Sequence, residues 1–266
     1  MLYRTILAAS AAAILLSVTH SSLAAQSVDT RSVTSNAREA ASYVELGDEF
    51  SRAHDSKRAI GAYSVALDFA PDYAPAYFKR GLANVQAGHL AEAVADYSKT
   101  IDIVPQCAEA YANRAYVRGL LNDEKAALSD WNLALQINPK LTSALYNRAN
   151  FRLQSGNFLE ALIDFDDALQ LDPHHAMAYN NRGIARISIG DVDGAIADFS
   201  QAIKINSKLP EAFTNRGFVQ LQRGNSVEAE RDLARSVTLR PSLKTYIDEH
   251  SQEIAQLPIP SLESKR

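Results

Sequence analysis

Residues 142–175 read TSALYNRANFRLQSGNFLEALIDFDDALQLDPHH, and residues 176–209, which follow directly, read AMAYNNRGIARISIGDVDGAIADFSQAIKINSKL. Set one above the other, these 34-residue stretches align Asn147 with Asn181, Arg148 with Arg182, Ala161 with Ala195, Asp164 with Asp198 and Phe165 with Phe199. The same step carries outward in both directions. It recovers Pro71, Pro105, Pro139, Pro173 and Pro241, and the alanines Ala59, Ala93, Ala127, Ala161, Ala195 and Ala229. Six units fit without an insertion: 40–73, 74–107, 108–141, 142–175, 176–209 and 210–243. A period of this length marks stacked supersecondary units, none of which can bury its apolar face alone.

Side-chain size alternates along the period in a way that only close packing explains. The eighth position holds Gly47, Gly81, Ala115, Ala149, Gly183 and Gly217, and the twenty-seventh holds Ala66, Thr100, Ala134, Ala168, Ala202 and Ser236. Between them stand the large residues Tyr63, Tyr97, Trp131, Phe165, Phe199 and Leu233. Small residues facing large ones let two antiparallel helices approach closely. A proline near the end of each second helix stops it, since proline has no N–H and its ring collides with the preceding turn. Ser207 interrupts that column, and Pro210 stands ready to act in its place.

These columns resemble the tetratricopeptide repeat family, with the aromatic and small positions falling on helix A and helix B of that motif. The resemblance covers all six units. It implies an all-α fold, a right-handed solenoid of helix-turn-helix repeats closed by a C-terminal capping helix, and a protein that binds partners without catalysing a reaction. In the turn between helices later repeats carry Gly88, Gly156, Gly190 and Gly224, where repeat one has Asp55. Beyond the last repeat, Leu243, Tyr246, Ile247, Ile254 and Leu257 keep helical spacing, so 244–257 reads as the cap and 258–266 as a disordered tail.

Two columns carry more than packing. Arg80, Arg114, Arg148, Arg182 and Arg216 stand seventh in repeats two to six, and Asp96, Asp130, Asp164, Asp198 and Asp232 stand twenty-third in the same repeats. Repeat one lacks both, with Leu46 and Ala62 in their places. That joint absence points to ion pairs joining the two helices of one repeat, each contributing about 0 to 1 kcal/mol if exposed. The sixth position holds Asn113, Asn147, Asn181 and Asn215. In the resembled family it lies on the concave face, where a side-chain amide can donate to and accept from a peptide backbone. The ladder is similar to one in the repeat domain of O-linked N-acetylglucosamine transferase. The alternative is that these asparagines tie neighbouring helices together, and spacing alone leaves both open. Phe78, Leu82, Tyr116, Tyr146, Asn150, Ile184 and Phe218 share the expected groove, giving it aromatic contact area beside the amides. The family's clamp for a C-terminal carboxylate is not expected, because its basic points hold Val44, Glu109 and Asn215.

The N-terminus reads as a targeting segment. Arg4 is its one charge, Ile6 to Val18 is apolar, and Ser22-Leu23-Ala24 ends in small residues, so 1–24 is expected to be a cleaved secretory signal and 25–39 a leader. Thirteen apolar residues fall short of the roughly 20 that span a bilayer. The expected destination is the bacterial periplasm, with no stable membrane insertion after cleavage. Without Arg4 the 27 basic residues become 26 against 31 acidic ones, a mild acidity that argues against nucleic acid as partner. A lone Cys107 allows no internal disulfide; at a helix start it is either a reactive thiolate able to pair between chains or an inert, partly buried thiol. No phosphate loop, HExxH motif, paired CxxC or nucleophile elbow is present, so no cofactor, no metal and no catalysis are expected. His174 and His175 read as residues of a solvated turn. The functional expectation is an adaptor that holds an extended peptide or partner protein. The alternative is a structural element assembling with its own copies through repeat end faces.

Overall fold

A computed structural model describes residues 35–257, which form thirteen α-helices and no strand. The expected signal segment 1–24 and tail 258–266 lie outside the described residues. The helices are α1 (Ser35–Arg52), α2 (Ser56–Phe69), α3 (Ala74–Ala87), α4 (Leu90–Ile103), α5 (Ala108–Leu120), α6 (Glu124–Ile137), α7 (Thr142–Gln154), α8 (Phe158–Leu171), α9 (Ala176–Ile189), α10 (Val192–Ile205), α11 (Pro210–Gln222), α12 (Ser226–Leu239) and α13 (Leu243–Gln256). Odd-numbered helices α1 to α11 are the first of each repeat and even-numbered ones the second, an all-α repeat solenoid. Helix α1 starts within the stretch read as leader. The chain divides into two compact units between Ala144 and Leu145, inside α7.

Within the N-terminal unit two core clusters stand out among the described residues, and Ala127, Trp131 and Ala134 of α6 are buried as well. One cluster joins Val44, Tyr63, Leu67 and Ala83; the other joins Phe78, Val85, Tyr97, Ile101, Cys107 and Val117. At the start of this unit, Tyr43 stacks on Phe69 at 5.6 Å and the Arg58 guanidinium lies 4.7 Å over Phe50. On α1 Val44 is buried, Tyr43 and Phe50 are half-buried, and Leu46 is 38% exposed. In the C-terminal unit a core cluster runs from Tyr146 through Phe165, Ile184, Phe199 and Phe218 to Ile247 and Ile254, and a smaller one joins Ala202, Leu209 and Ala212. Ile247 and Ile254 belong to α13, which packs on α11 and α12 and covers their apolar faces.

The size columns explain why helices pair so closely. A Cβ added to Gly183 would stand 2.7 Å from Phe199 Cε1, and one on Gly81 would stand 2.8 Å from Tyr97 Cε1. Both distances are below contact, so glycine here is a packing requirement between the helices of one repeat. The inter-helix turns need a left-handed residue. Gly88 and Gly190 take φ of 80° and 89°, whereas repeats one and three place His54 at 58° and Asn122 at 60°. The residue in the glycine position of repeat one is therefore His54, and Asp55 is its neighbour. Asparagine and histidine are among the non-glycine residues that enter this region most readily. Asp55 has a separate task as the N-cap of α2, accepting from the Arg58 backbone N–H at 3.0 Å.

Candidate functional site

The arginine and aspartate columns meet within each repeat. Arg80 reaches Asp96 at 2.7 Å, Arg114 reaches Asp130 at 2.8 Å, Arg148 reaches Asp164 at 2.7 Å, Arg182 reaches Asp198 at 2.6 Å and Arg216 reaches Asp232 at 2.7 Å. In repeats two to six Nε and Nη2 both donate to the carboxylate, the two-pronged geometry that favours arginine over lysine. The carboxylates are buried, with Asp164 at 1%. The energetics of an exposed surface pair therefore do not apply. These are desolvated pairs, whose partners are costly to remove singly.

Arg80, Arg114, Arg182 and Arg216 each do something more that their column did not announce. The Nη1 of each crosses to the preceding repeat: Arg80 to Ser64 at 3.0 Å, Arg114 to Ser98 at 2.9 Å, Arg182 to Asp166 at 2.6 Å and Arg216 to Ser200 at 2.9 Å. One guanidinium thus joins three helices. Burial works against the charge of Arg182, but Asp198 and Asp166 together more than offset it and hold the group above its ordinary pKa. A second donor reaches the same aspartate from one turn further along the first helix. Asn84 donates to Asp96 at 2.9 Å, and Arg118, Arg152 and Arg186 pair with Asp130, Asp164 and Asp198 at 2.7, 2.6 and 3.1 Å. That column was visible, since Arg118, Arg152 and Arg186 are 34 apart and four residues beyond the first arginine, on the same helix face.

The asparagine column divides. Asn181 donates to Asn150 Oδ1 at 2.7 Å and to the Tyr146 hydroxyl at 3.4 Å, while Asn180 Nδ2 donates to Asn181 Oδ1 at 3.0 Å. Asn215, fully buried, donates to Asn180 Oδ1 at 2.9 Å. In the C-terminal unit these amides connect α7, α9 and α11. Lys79 makes the equivalent link in the N-terminal unit, pairing with Asp48 thirty-one residues earlier, the same separation as Asn181 to Asn150. Phe78 and Phe218 are interior, and Phe218 packs against Tyr246 with ring centres 6.1 Å apart. Asn150 and Tyr146 are also buried. Within the N-terminal unit the surface left to a ligand is at Asn113 and Tyr116, both half-buried, with Leu120 exposed beside Tyr116; in the C-terminal unit Asn147 is half-buried. Asn113 Nδ2 is buried without a hydrogen-bond partner among the described residues, as is Asn215 Oδ1, but Asn113 is half-buried as a residue whereas Asn215 is fully buried. Asn113, Tyr116 and Leu120 follow spacings of three and four, which puts them on one face of α5.

Cys107 is 5% exposed at the start of α5, and burial pushes its thiol up to about 11, outweighing the backbone N–H groups of Ala110 and Glu109 that favour the thiolate. The reactive-thiolate reading is therefore corrected. Desolvation wins over the helix terminus, and Cys107 is a core residue packed with Phe78 and Val117.

His175 also differs from the solvated residue expected. It is the N-cap of α9, its Nδ1 accepting from the Ala178 N–H at 3.2 Å, and its ring lies 4.5 Å from that of Tyr146. The corresponding positions of other repeats hold Tyr73, Cys107, Leu141 and Leu209. Burial lowers its pKa below the ordinary 6.5, with Asp172 opposing the shift. A group less basic when folded binds protons more readily when unfolded, so stability falls as pH drops through about 6.5 and levels off below the folded-state value. Thermal melts from pH 7.5 to 5 should show this loss in the wild type and a smaller one in His175→Leu; equal slopes would contradict it.

Among the described residues no helix is long and apolar enough to cross a membrane, and no three His, Cys, Asp or Glu residues converge as a metal site. Three family models match this repeat pattern. They are described as tetratricopeptide repeat at residues 44–106 and 142–175 and as TPR repeat at 185–224, together about half of the chain. Among curated proteins, none matches the chain closely enough to be a relative. The chain is similar in structure to YrrB, described as a TPR protein with an unusual peptide-binding site, at 24% identity over 64% of this chain and 88% of that one, with a TM-score of 0.53. It is similar to PilW, described as a widely conserved type IV pilus biogenesis factor, at 18% identity over 79% and 97%, with a TM-score of 0.70. A tetratricopeptide repeat protein from Parabacteroides merdae is 22% identical over 82% and 90%, with a TM-score of 0.63. At these identities the likeness to solved structures is one of fold, and it agrees with the sequence models in kind and in repeat. The chain belongs to the tetratricopeptide repeat family.

Proposed function

We propose that this protein is a non-enzymatic scaffold that binds an extended segment of a partner protein on the first-helix face of its repeats, after export to the periplasm. The observation that carries the reading is Asn113. A buried amide N–H without an acceptor costs about 1–3 kcal/mol, and an incoming backbone carbonyl would satisfy it. Tyr116 and Leu120 on the same face supply apolar contact area for such a segment. The description of YrrB as a peptide binder supports the reading. Self-association through the α1 end is the weaker alternative, since Leu46 is the one large apolar residue left exposed on that helix.

Binding of a partner or selected peptide is measured for wild type, Asn113→Ala and Tyr116→Ala, alongside thermal melts. Asn113→Ala should weaken binding by about 0.5–1.5 kcal/mol, the worth of one neutral hydrogen bond, while its melting temperature stays the same or rises because the orphan donor is gone. Unchanged binding in both variants would exclude this face. N-terminal sequencing of the mature protein tests export, with cleavage after Ala24 expected.

A further inference from the structure

The last repeat breaks the arginine pattern at one point, and a cavity lies there. In repeats three to five the buried aspartate takes a second guanidinium from Arg118, Arg152 or Arg186, and in repeat two it takes the amide of Asn84. In repeat six that position is Gln220, whose Oε1 instead accepts from Asn225 at 2.7 Å. A cavity of about 250 Å³ is lined by Gln220, Arg216 and Asp232 together with Ser200, Glu228 and Arg231. Its location is where three sister repeats hold a guanidinium.

The hydrogen-bond inventory says which ligand fits. Among the described residues Asp232 accepts from Arg216 alone, at Oδ2 and Oδ1, and so keeps acceptor capacity that Asp130 and Asp164 use on a second arginine. Glu228 lies one turn before it on α12, exposed at the rim. Arg216 offers little to an anion, because Nε and Nη2 are bonded to Asp232 and Nη1 to Ser200. Arg231 at the rim is the one cation with donors to spare, and it faces a site whose buried acceptor is a carboxylate.

We propose that this cavity binds a guanidinium group against Asp232 and Glu228, taking either an arginine side chain of a partner or a free guanidinium ligand. Planar, paired donors suit the open carboxylate edge better than the point charge of an ammonium. The site lies among α10, α11 and α12 and is independent of the peptide face on α5.

The test is amide NMR titration of the full mature chain with ethylguanidinium, ethylammonium, sulfate and the capped tripeptide Gly-Arg-Gly. Saturable shifts at Gln220, Glu228 and Asp232 are expected with ethylguanidinium or the tripeptide and much weaker ones with ethylammonium. A tighter tripeptide assigns the site to a protein-borne arginine, and a tighter ethylguanidinium assigns it to a free ligand. Gln220→Arg should fill the cavity, abolish the shifts and raise the melting temperature. Glu228→Gln, at an exposed position, should fold normally and lower affinity about twofold to fivefold. Sulfate as the better ligand, equal responses to both cations, or unchanged binding in Gln220→Arg would overturn the proposal.

Discussion

Replacing Asp164 by alanine should destabilise the C-terminal unit by about 3–5 kcal/mol, the cost of removing one partner from a buried charge cluster. The carboxylate is 1% exposed and holds Arg148 and Arg152 at 2.7 and 2.6 Å, so its loss leaves two guanidinium groups without their counter-charge. Arg152→Ala should cost less, because Arg148 still closes the pair. Chemical denaturation followed by far-UV circular dichroism measures both. A double-mutant cycle on Arg148 and Asp164 should give a coupling energy well above the few tenths of a kcal/mol expected of independent sites. A loss under about 1 kcal/mol in Asp164→Ala would show the pairs to be no stronger than surface contacts.

Phe165→Ala should cost a similar amount, about 3–5 kcal/mol, through lost burial and the cavity left behind. Phe165 is fully buried, meets Tyr146 edge-on at 6.2 Å and sits in the middle of the core of its unit. Two residues earlier on the same helix, Ile163 is 60% exposed, and Ile163→Ala should stay within about 0.5 kcal/mol. The same denaturation experiment compares them. Similar losses at 163 and 165 would mean that the 34-residue register has been assigned to the wrong helix face.

The packing of each repeat was readable in the sequence because close packing imposes size at particular positions. A Cβ on Gly183 would stand 2.7 Å from Phe199; Gly47, Gly81 and Gly217 are equally tight against their own partners, and the column holds nothing larger than the alanines Ala115 and Ala149. The Arg–Asp pairing was readable for a similar reason, since two columns vanished together in repeat one. Direction was not readable. Whether Asn181 faces a groove or a neighbouring helix depends on how α7 and α9 meet, and the structure turns its amide to Asn150 and Tyr146. The third contact of Arg80, Arg114, Arg182 and Arg216 runs between repeats, where the residue types are mixed: Ser64, Ser98, Asp166 and Ser200 accept from it, so no uniform column announced it. Cys107 was open for a different reason. A helix terminus and an apolar core pull a thiol in opposite directions, and only packing shows which is stronger.

The scaffold reading has a rival on the protein's own surface, because Leu159 and Ile163 form an exposed apolar pair on α8, at 64% and 60%. Site-specific photocrosslinking separates them. A photoreactive residue is placed at Leu120, beside Tyr116, or at Leu159, and the bound partner is analysed. The account predicts crosslinks from position 120 that are lost in Asn113→Ala, and none from position 159. Crosslinks from 159 with none from 120 would contradict it.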